Sequence, residues 1–568
     1  MRDPVLTSGS HALLELLARS GVRYLFGNPG TTELPLMDAL AQDRRIQYVL
    51  GLQEVPVMAI ADGYAQASRT VGVVNLHIAC GLGNGMGMLY NAFREGSPLV
   101  VTAGQQDRRL RFDEPILWAD MVRVARPWTK WAVEVDRVED VPSALRRAIQ
   151  TALIPPTGPV FLSLPVDVLS AEAELDLSPP CPLNPHVRPP TAELRRAVDL
   201  LTAASNPAIL VGSRVVEADA VEPLVDVAGL LGAPVLSEPA TTQGRLSFPS
   251  GHPLFAPGLP LWSPDIRRRL DEFDVLLVVG MDLLRLYVYH EPARAIPEKV
   301  RIVHLDADPW PLGKNYPIDV GLVGDPKVGL EELGEMLRAR LTSREREAAA
   351  TRASQRAEKH RTLRQDLEDQ ADRERGERPL TPLTVMQSLG RALSPTTAVI
   401  EEAVTTTNAY LQRLGLLGEP SGYFGHRGWA LGWGLGCAIG VKLAWPDRPV
   451  LAVLGEGAAM YGIQGLWTAA HYRIPVTFVI CNNAQYQILK VGARAAELPA
   501  AGEGKFEGMD LVEPEIDFVA LARSLGVEAR RVHDPDELTE CVRRSFEADG
   551  PRLFDVPITR ALPSKLDY

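Results

Sequence analysis

Short apolar runs recur along the chain, each closed by small residues and followed by apolar positions at helical spacing. Alternation of this kind predicts strand–helix–strand units and a parallel sheet. In the first segment the runs are Arg23–Phe26, Tyr48–Leu50, Val71–Leu76 and Pro98–Thr102. In the second they are Ala208–Val211, Val275–Val279 and Arg301–Leu305, and in the third Thr397–Ile400, Val450–Leu454 and Val476–Ile480. A Pro-rich stretch, Ser178–Pro185 with Pro189 and Pro190, reads as an extended linker. Ser343–Arg378 is charged, with Leu363 and Leu367 as its strong apolar residues, and reads as a solvated helix or linker. The fold class predicted is α/β: three doubly wound parallel-sheet domains over residues 1–172, 190–342 and 379–568, with 343–378 as a charged linker. The first and third domains share one pattern of strand, small-residue turn and helix.

Composition narrows the function. The chain has 568 residues, enough for three or four domains, and its 46% apolar content suits a large buried core. The net charge of −12 argues against a nucleic-acid or anionic-membrane partner. Five scattered cysteines form no C-x-x-C pair, which argues against a zinc site or a disulfide framework and for a reducing, cytoplasmic setting. The N-terminus lacks an apolar signal core, and no run of about 18 apolar residues would span a membrane. A multidomain metabolic enzyme fits these bounds.

The most specific chemistry lies in the third segment. Leu454-Gly455-Glu456-Gly457-Ala458-Ala459 follows one strand and Cys481-Asn482-Asn483 follows the next, with one helix, Gly462–Tyr472, expected between them. In a right-handed strand–helix–strand unit both loops emerge at the carboxyl edge, where open α/β sheets bind ligands. Gly455 and Gly457 let the backbone approach a diphosphate, and Ala458 and Ala459 place amides at a helix start. Glu456 and Asn483 offer hard oxygens suited to Mg²⁺. Either piece alone is ordinary turn chemistry; the two together, each after a buried strand, favour a metal-bridged diphosphate.

These residues resemble the motif of the thiamin-diphosphate-dependent decarboxylases and carboligases, Gly-Asp-Gly followed about 25–30 residues later by Asn-Asn. The stretch Ala459–Pro475 is similar to benzoylformate decarboxylases, and the resemblance extends over nearly the whole chain to acetolactate synthase-like enzymes. It implies a pyrimidine-binding first domain, a Rossmann-like central domain and a diphosphate-binding third domain. It also implies thiamin diphosphate and Mg²⁺ as cofactors, the metal held by Glu456, Asn483 and the Gln485 carbonyl. Glu54 would bond the cofactor's aminopyrimidine and promote formation of its C2 ylid. His77 and Thr31, each after a strand, would share the sheet edge with Glu54, His77 shuttling a proton. Leu431, in Gly428–Gly436, would be the apolar wedge that bends the cofactor. His426 and Arg427 stand just before that loop as candidates to meet substrate, and Ile488 and Leu489 would line the substrate pocket.

The chain departs from the family pattern in four places. Glu456 replaces the usual Asp, moving the carboxylate by about one 1.5 Å carbon–carbon bond. Thr31 stands where benzoylformate decarboxylases usually carry Ser. A second catalytic His of the central domain aligns either with Tyr287 or, across a short gap, with His290. No aromatic wall is evident near Gly492, which argues against an aryl substrate. No G-x-G-x-x-G follows a central-domain strand, so neither FAD nor another nucleotide is expected there. The function implied is a lyase that decarboxylates a 2-oxo acid through an enamine. The alternatives are a carboligase or acyloin/2-hydroxyacyl thioester lyase acting on an aldehyde or related substrate, and a non-catalytic paralogue. Because Glu54 and Glu456 would come from different chains, the resemblance implies at least a homodimer, with a homotetramer usual for the family.

Overall fold

The structure is a computed structural model that describes residues 4–239, 243–286, 289–292 and 294–563. It contains three six-stranded parallel sheets. The first is ordered Gln47–Leu50, Tyr24–Gly27, Gly72–Leu76, Leu99–Gln105, Val160–Pro165, Trp131–Glu134. The third is ordered Tyr423–Phe424, Ala398–Glu402, Val450–Gly455, Thr477–Asn482, Arg552–Pro557, Glu528–Arg531. Counted along the chain, both follow the order 2-1-3-4-6-5, so the likeness of the first and third segments extends to topology. The central sheet instead runs 3-2-1-4-5-6, from Phe255–Ala256 to Val320–Val323. An antiparallel pair, Val5–Ser8 with Glu172–Leu175, closes the first domain on itself.

Runs such as Val275–Val279 and Val450–Leu454 are buried throughout, as strands covered by helices on both faces must be. Residues 176–190 form no regular element. The charged stretch becomes one helix, Ser343–Glu374, started by a capping box of Thr342 and Glu345. Its buried residues are only Ala349, His360, Leu367 and Ala371, so the rest of its surface can stay charged.

The connection expected as a single helix over Gly462–Tyr472 is two shorter ones, Glu456–Gly462 and Gly465–His471. The break falls where Gly462 packs on the backbone of Gly432, its absent Cβ only 2.5 Å from that carbonyl oxygen. Such a contact between distant segments is invisible to helical periodicity.

Helices Glu54–Ser68 and Trp433–Ala444 join the first and third domains in one core. Both are apolar around nearly their whole circumference because each lies between its own sheet and the other helix. Glycines set the approach: a Cβ on Gly440 would stand 2.0 Å from the Ile60 carbonyl oxygen, and one on Gly63 2.3 Å from that of Cys437. Backbone atoms on a packed helix cannot step aside. Gly440→Ala is therefore expected to lower stability by about 1–3 kcal/mol. Gly229→Ala, in helix Val221–Leu231 with nothing within 4 Å, should instead be neutral or stabilising by about 0.5–1 kcal/mol. Denaturant midpoints of the two variants measure the contrast.

Candidate active site

Strand order determines which loops meet. In the first sheet, Gly27 pairs with both Leu50 and Asn75, so residues 28–33, 51–54 and 77 leave the same carboxyl edge. Strands Tyr24–Gly27 and Gly72–Leu76 flank the reversal of strand order, the place where an open sheet forms a ligand crevice.

Glu54 is the first residue of helix Glu54–Ser68 and is buried. Its Oε1 accepts from Asn28 Nδ2 at 3.2 Å and its Oε2 from Asn84 Nδ2 at 3.0 Å. Both partners are neutral amides, which hold the carboxyl group in place without pairing it to a cation.

His77 precedes helix Ile78–Glu95, and Ile78 takes the left-handed φ of +43°. The imidazole Nδ1 lies 2.8 Å from Glu33 Oε2, which also accepts the Gly30 amide at 2.9 Å. Glu33 Oε1 accepts Thr32 Oγ1 at 2.8 Å and the Gly104 amide at 2.9 Å. With 1% exposure and four donors, Glu33 is a fixed anchor. Tying down Nδ1 leaves Nε2 as the ring nitrogen available for proton transfer. Gly30 is required here, since its Cβ would stand 2.0 Å from His77 Nδ1. Thr31 opens the short turn Thr31–Glu33 and is exposed at the same edge. Glu33 was not singled out from sequence; its signal was a carboxylate in the loop following a strand, next to Thr31.

The structure thus gathers Thr31, Glu54 and His77 at one edge. His290 packs elsewhere, edge-on against Trp262 at 4.7 Å, its carbonyl accepting from Ser263 Oγ at 3.0 Å. No contact among the described residues links it to that trio. Tyr287 lies outside the described residues.

In the third sheet, Glu402 pairs with Leu454 and Gly455 with Cys481, so the loops after Glu402, Gly455 and Asn482 share an edge. Glu456 Oε1 and Asn483 Oδ1 both accept the Gln485 amide, at 3.0 and 3.2 Å, which brings the two oxygens together. Burial pushes the Glu456 carboxyl up to about 7, with backbone amides opposing the shift. A buried carboxylate converging with a neutral amide oxygen fits a hard divalent cation that takes its remaining ligands from a phosphate and water. Among the described residues, no group of three His, Cys, Asp or Glu gathers as a metal site.

Gly457 admits the Tyr486 ring, which a Cβ would approach to 2.7 Å, whereas a Cβ on Gly455 would meet nothing closer than 3.7 Å. Ala458 and Ala459 are buried in the first turn of helix Glu456–Gly462. Leu489, on helix Gln487–Ala495, is 51% exposed, and one turn on a Cβ at Gly492 would meet only open space. Leu431 is half-buried just before helix Trp433–Ala444. The loop after Glu402, containing Val404–Thr407, was also missed from sequence; it abuts Gly455 and adds three threonine hydroxyls to this edge.

His426 lines a small cavity with Glu402, Thr407 and Trp429, whereas Arg427 is taken up between domains. Arg427 is buried, with Nε 3.2 Å from Glu95 Oε2 and Nη2 2.8 Å from Glu217 Oε1, an ion-pair junction of all three domains. His426 lies between Trp429 and Trp433, and burial pulls its imidazole down to about 3.

Residues 7–117 match the thiamine pyrophosphate enzyme N-terminal TPP binding domain, 194–333 the central domain and 403–556 the C-terminal TPP binding domain. The chain is 37% identical to benzoylformate decarboxylase of Pseudomonas aeruginosa, over 96% of this chain and 98% of that one. It is 27% identical to the acetolactate synthase isozyme 3 large subunit of Escherichia coli, over 98% and 95% of the two chains. Among solved structures, a thiamine diphosphate-dependent 4-hydroxybenzoylformate decarboxylase from Rhodococcus jostii superposes with a TM-score of 0.85 at 30% identity, covering 98% of this chain and 100% of that one. A benzoylformate decarboxylase from Polynucleobacter necessarius gives 0.86 at 29% identity with the same coverage.

The anchoring of His77 has a measurable consequence. Glu33→Ala strips the acceptor from four buried or half-buried donors and should cost about 2–4 kcal/mol of stability. Glu33→Gln should retain much of that stability but leave the His77 ring as a mixture of tautomers. Urea denaturation reads the first effect and ¹⁵N shifts of labelled histidine the second.

Proposed function

The chain belongs to the thiamine pyrophosphate enzyme family, and we propose that within it this protein decarboxylates a 2-oxo acid, taking up one proton and releasing CO₂ and an aldehyde. The observation that carries the reading is the pair of matching half-sites: a buried carboxyl held by two neutral amides at Glu54, and a converging oxygen pair at Glu456 and Asn483. Thiamin diphosphate, when bound, supplies the carbon nucleophile and electron sink that this cleavage needs.

The protein's own groups take the remaining roles. Glu456, Asn483 and the Gln485 carbonyl hold Mg²⁺, with Gly455, Gly457, Ala458 and Ala459 along the diphosphate and Leu431 and Leu489 against the rings. Glu54 shares a proton with a ring nitrogen of the aminopyrimidine. Thr31 Oγ1 hydrogen-bonds the substrate carboxylate, and His77 Nε2 delivers the proton that the aldehyde carbon gains. Leu489 is aliphatic and nothing lies within 4 Å of a Cβ at Gly492, so among the described residues no aromatic side chain of this chain stands against Gly492 to stack on an aryl substituent.

The half-sites call for a second copy. Around them Leu52 is 46% and Leu489 51% exposed, and on the loop after Gln105, Phe112 is 97% and Ile116 82% exposed. Apolar surface of this kind is suited to a partner. We assign the protein a homodimer that joins Glu54 of one chain to Glu456 of the other, with a homotetramer as the larger assembly. A cytoplasmic setting fits its five free cysteines, and no helix among the described residues is long and apolar enough to cross a membrane.

A second outcome, carboligation or acyloin cleavage, is favoured by one feature: within one chain His290 packs on Trp262, away from Glu54 and His77, so among the described residues of that chain His77 is the histidine placed to supply the proton for aldehyde release. A panel of 2-oxo acids, aryl and aliphatic, with and without an acceptor aldehyde, separates the two readings through CO₂ release and product analysis. Decarboxylation predicts CO₂ and free aldehyde without acceptor; hydroxyketone formed only with acceptor would support carboligation. Glu54→Gln is expected to bind thiamin diphosphate as the wild type does while turnover falls about 10²–10⁴-fold. Treatment with EDTA should abolish saturable cofactor binding, and added Mg²⁺ should restore it.

A further inference from the structure

Leu431 sits in a loop whose backbone is gripped on both sides while its own side chain is left half-buried. On one side, Asn91 brackets Ala430: Asn91 Nδ2 donates to the Ala430 carbonyl at 2.7 Å, and its Oδ1 accepts the Ala430 amide at 3.0 Å. Asn91 is fully buried, and it approaches so closely that a Cβ on Gly428 would stand 2.2 Å from its Oδ1. On the other side, the Glu402 carboxylate accepts three successive amides. Oε1 takes Gly432 at 3.0 Å and Trp433 at 3.1 Å, and Oε2 takes Gly434 at 2.8 Å.

These bonds hold an unusual backbone. Gly432 has φ +97°, a conformation that disfavours any side chain, and a Cβ there would stand 2.7 Å from Tyr461. Nothing about Asn91 requires polarity except Ala430, since its remaining short-range partner is the Met88 sulfur at 3.7 Å. Glu402 is likewise buried and, among the described residues, has no cation within ion-pairing distance; the neutral His426 lies nearest, its Nε2 3.7 Å away and itself without a hydrogen-bond partner. Burying a carboxyl group here costs free energy that three amides recover only in part; those amides open helix Trp433–Ala444, so the carboxyl caps that helix and at the same time fixes the turn that follows Leu431.

We propose that Asn91 and Glu402 are positioning residues that set the Leu431 side chain against the cofactor, acting through the backbone on either side of it. The proposal rests on the reading of Leu431 as the wedge. Glu402 also ends the strand next to Gly455, its carbonyl oxygen 3.7 Å from where a Gly455 Cβ would stand, so one residue references the wedge to the diphosphate loop. Asn91 references the same wedge to the first domain. Two grips from different domains give residue 431 one position, as proximity catalysis needs.

The test uses isosteric variants of the full-length protein. Asn91→Asp sets an oxygen against the Ala430 carbonyl; Glu402→Gln sets an NH₂ group against one of three amide donors. Thiamin diphosphate affinity is measured by fluorescence titration, and exchange of the bound cofactor's C2 hydrogen with deuterium by acid quench and NMR. Both variants should bind cofactor as the wild type does but exchange about tenfold more slowly, or slower still. Wild-type exchange in both, or loss of affinity in step with exchange, would overturn the proposal. Should Glu402→Gln fail to fold, Asn91→Asp decides alone. Leu431→Ala separates the two levels: slow exchange there with normal exchange in the bracket variants sinks only the brackets, whereas normal exchange in Leu431→Ala sinks the wedge itself.

Discussion

The reversal of strand order in a doubly wound sheet is the constraint on which this molecule depends. Where two neighbouring strands send their connections to opposite faces, the carboxyl edge between them stays open. Both terminal sheets have the order 2-1-3-4-6-5, so each has that opening between its first and third strands. Asn28, Thr31 and His77 flank one opening, and Glu402 and Glu456 the other. The central sheet, ordered 3-2-1-4-5-6, opens between Pro207–Val211 and Val275–Val279. There Arg214 follows the first strand and pairs with Asp282 at 3.0 Å and Asp306 at 2.8 Å, and a Cβ on Gly212 would already collide with Met281. The same architecture thus carries two crevices lined for a ligand and one crossed by its own ion pairs.

Much of this arrangement was legible in the sequence, because the decisive contacts are local to a strand end. Glu456 and Asn483 are 27 residues apart but belong to adjacent loops, and the intervening apolar strand and helical stretch say so. Glu54, His77 and Thr31 were readable for the same reason. What escaped the sequence depends on distant partners. Arg427 stood as a candidate to meet substrate beside a cofactor loop, yet Glu95 and Glu217, 332 and 210 residues away, engage it in a buried ion pair. Glu33 carries no mark of its role until Gly104 is seen to return beside it. The helix past Glu456 breaks because Gly432 meets Gly462, a contact that no window of the sequence contains.

The groups that orient the site's carboxyls are neutral. Asn28 and Asn84 hold Glu54, backbone amides hold Glu402 and Glu456, and Asn91 holds the loop between them. An arginine in any of these places would be geometrically adequate and chemically wrong. Beside Glu54 it would hold the carboxylate in its charged form, against the proton-sharing role proposed for it. Beside Glu456 it would neutralise the carboxylate proposed to hold a metal ion. Arginine is instead found in pairs away from these carboxyls: Arg427 with Glu95 and Arg69 with Asp219 between domains, and Arg214 with Asp306 inside the central one.

That division of labour explains why helix Ile78–Glu95 matters beyond its length. Asn84 and Asn91 are seven residues apart, two helical turns, and therefore lie on one face. The first grips Glu54 and the second grips Ala430, with Gly87 between them on the side that faces Ala430, whose Cβ would lie 3.4 Å from a Cβ placed at Gly87. At its end, Glu95 takes the Arg427 ion pair. A single rigid helix, begun at His77 by a strained Ile78, therefore fixes Glu54 and His77, proposed for one site of the dimer, relative to Leu431, proposed for the other. Its neutral contacts face the chemistry and its charged one the domain junction. Replacing its polar residues with good helix formers would preserve the helix and lose the spacing, because the spacing resides in the side-chain amides rather than in helix propensity.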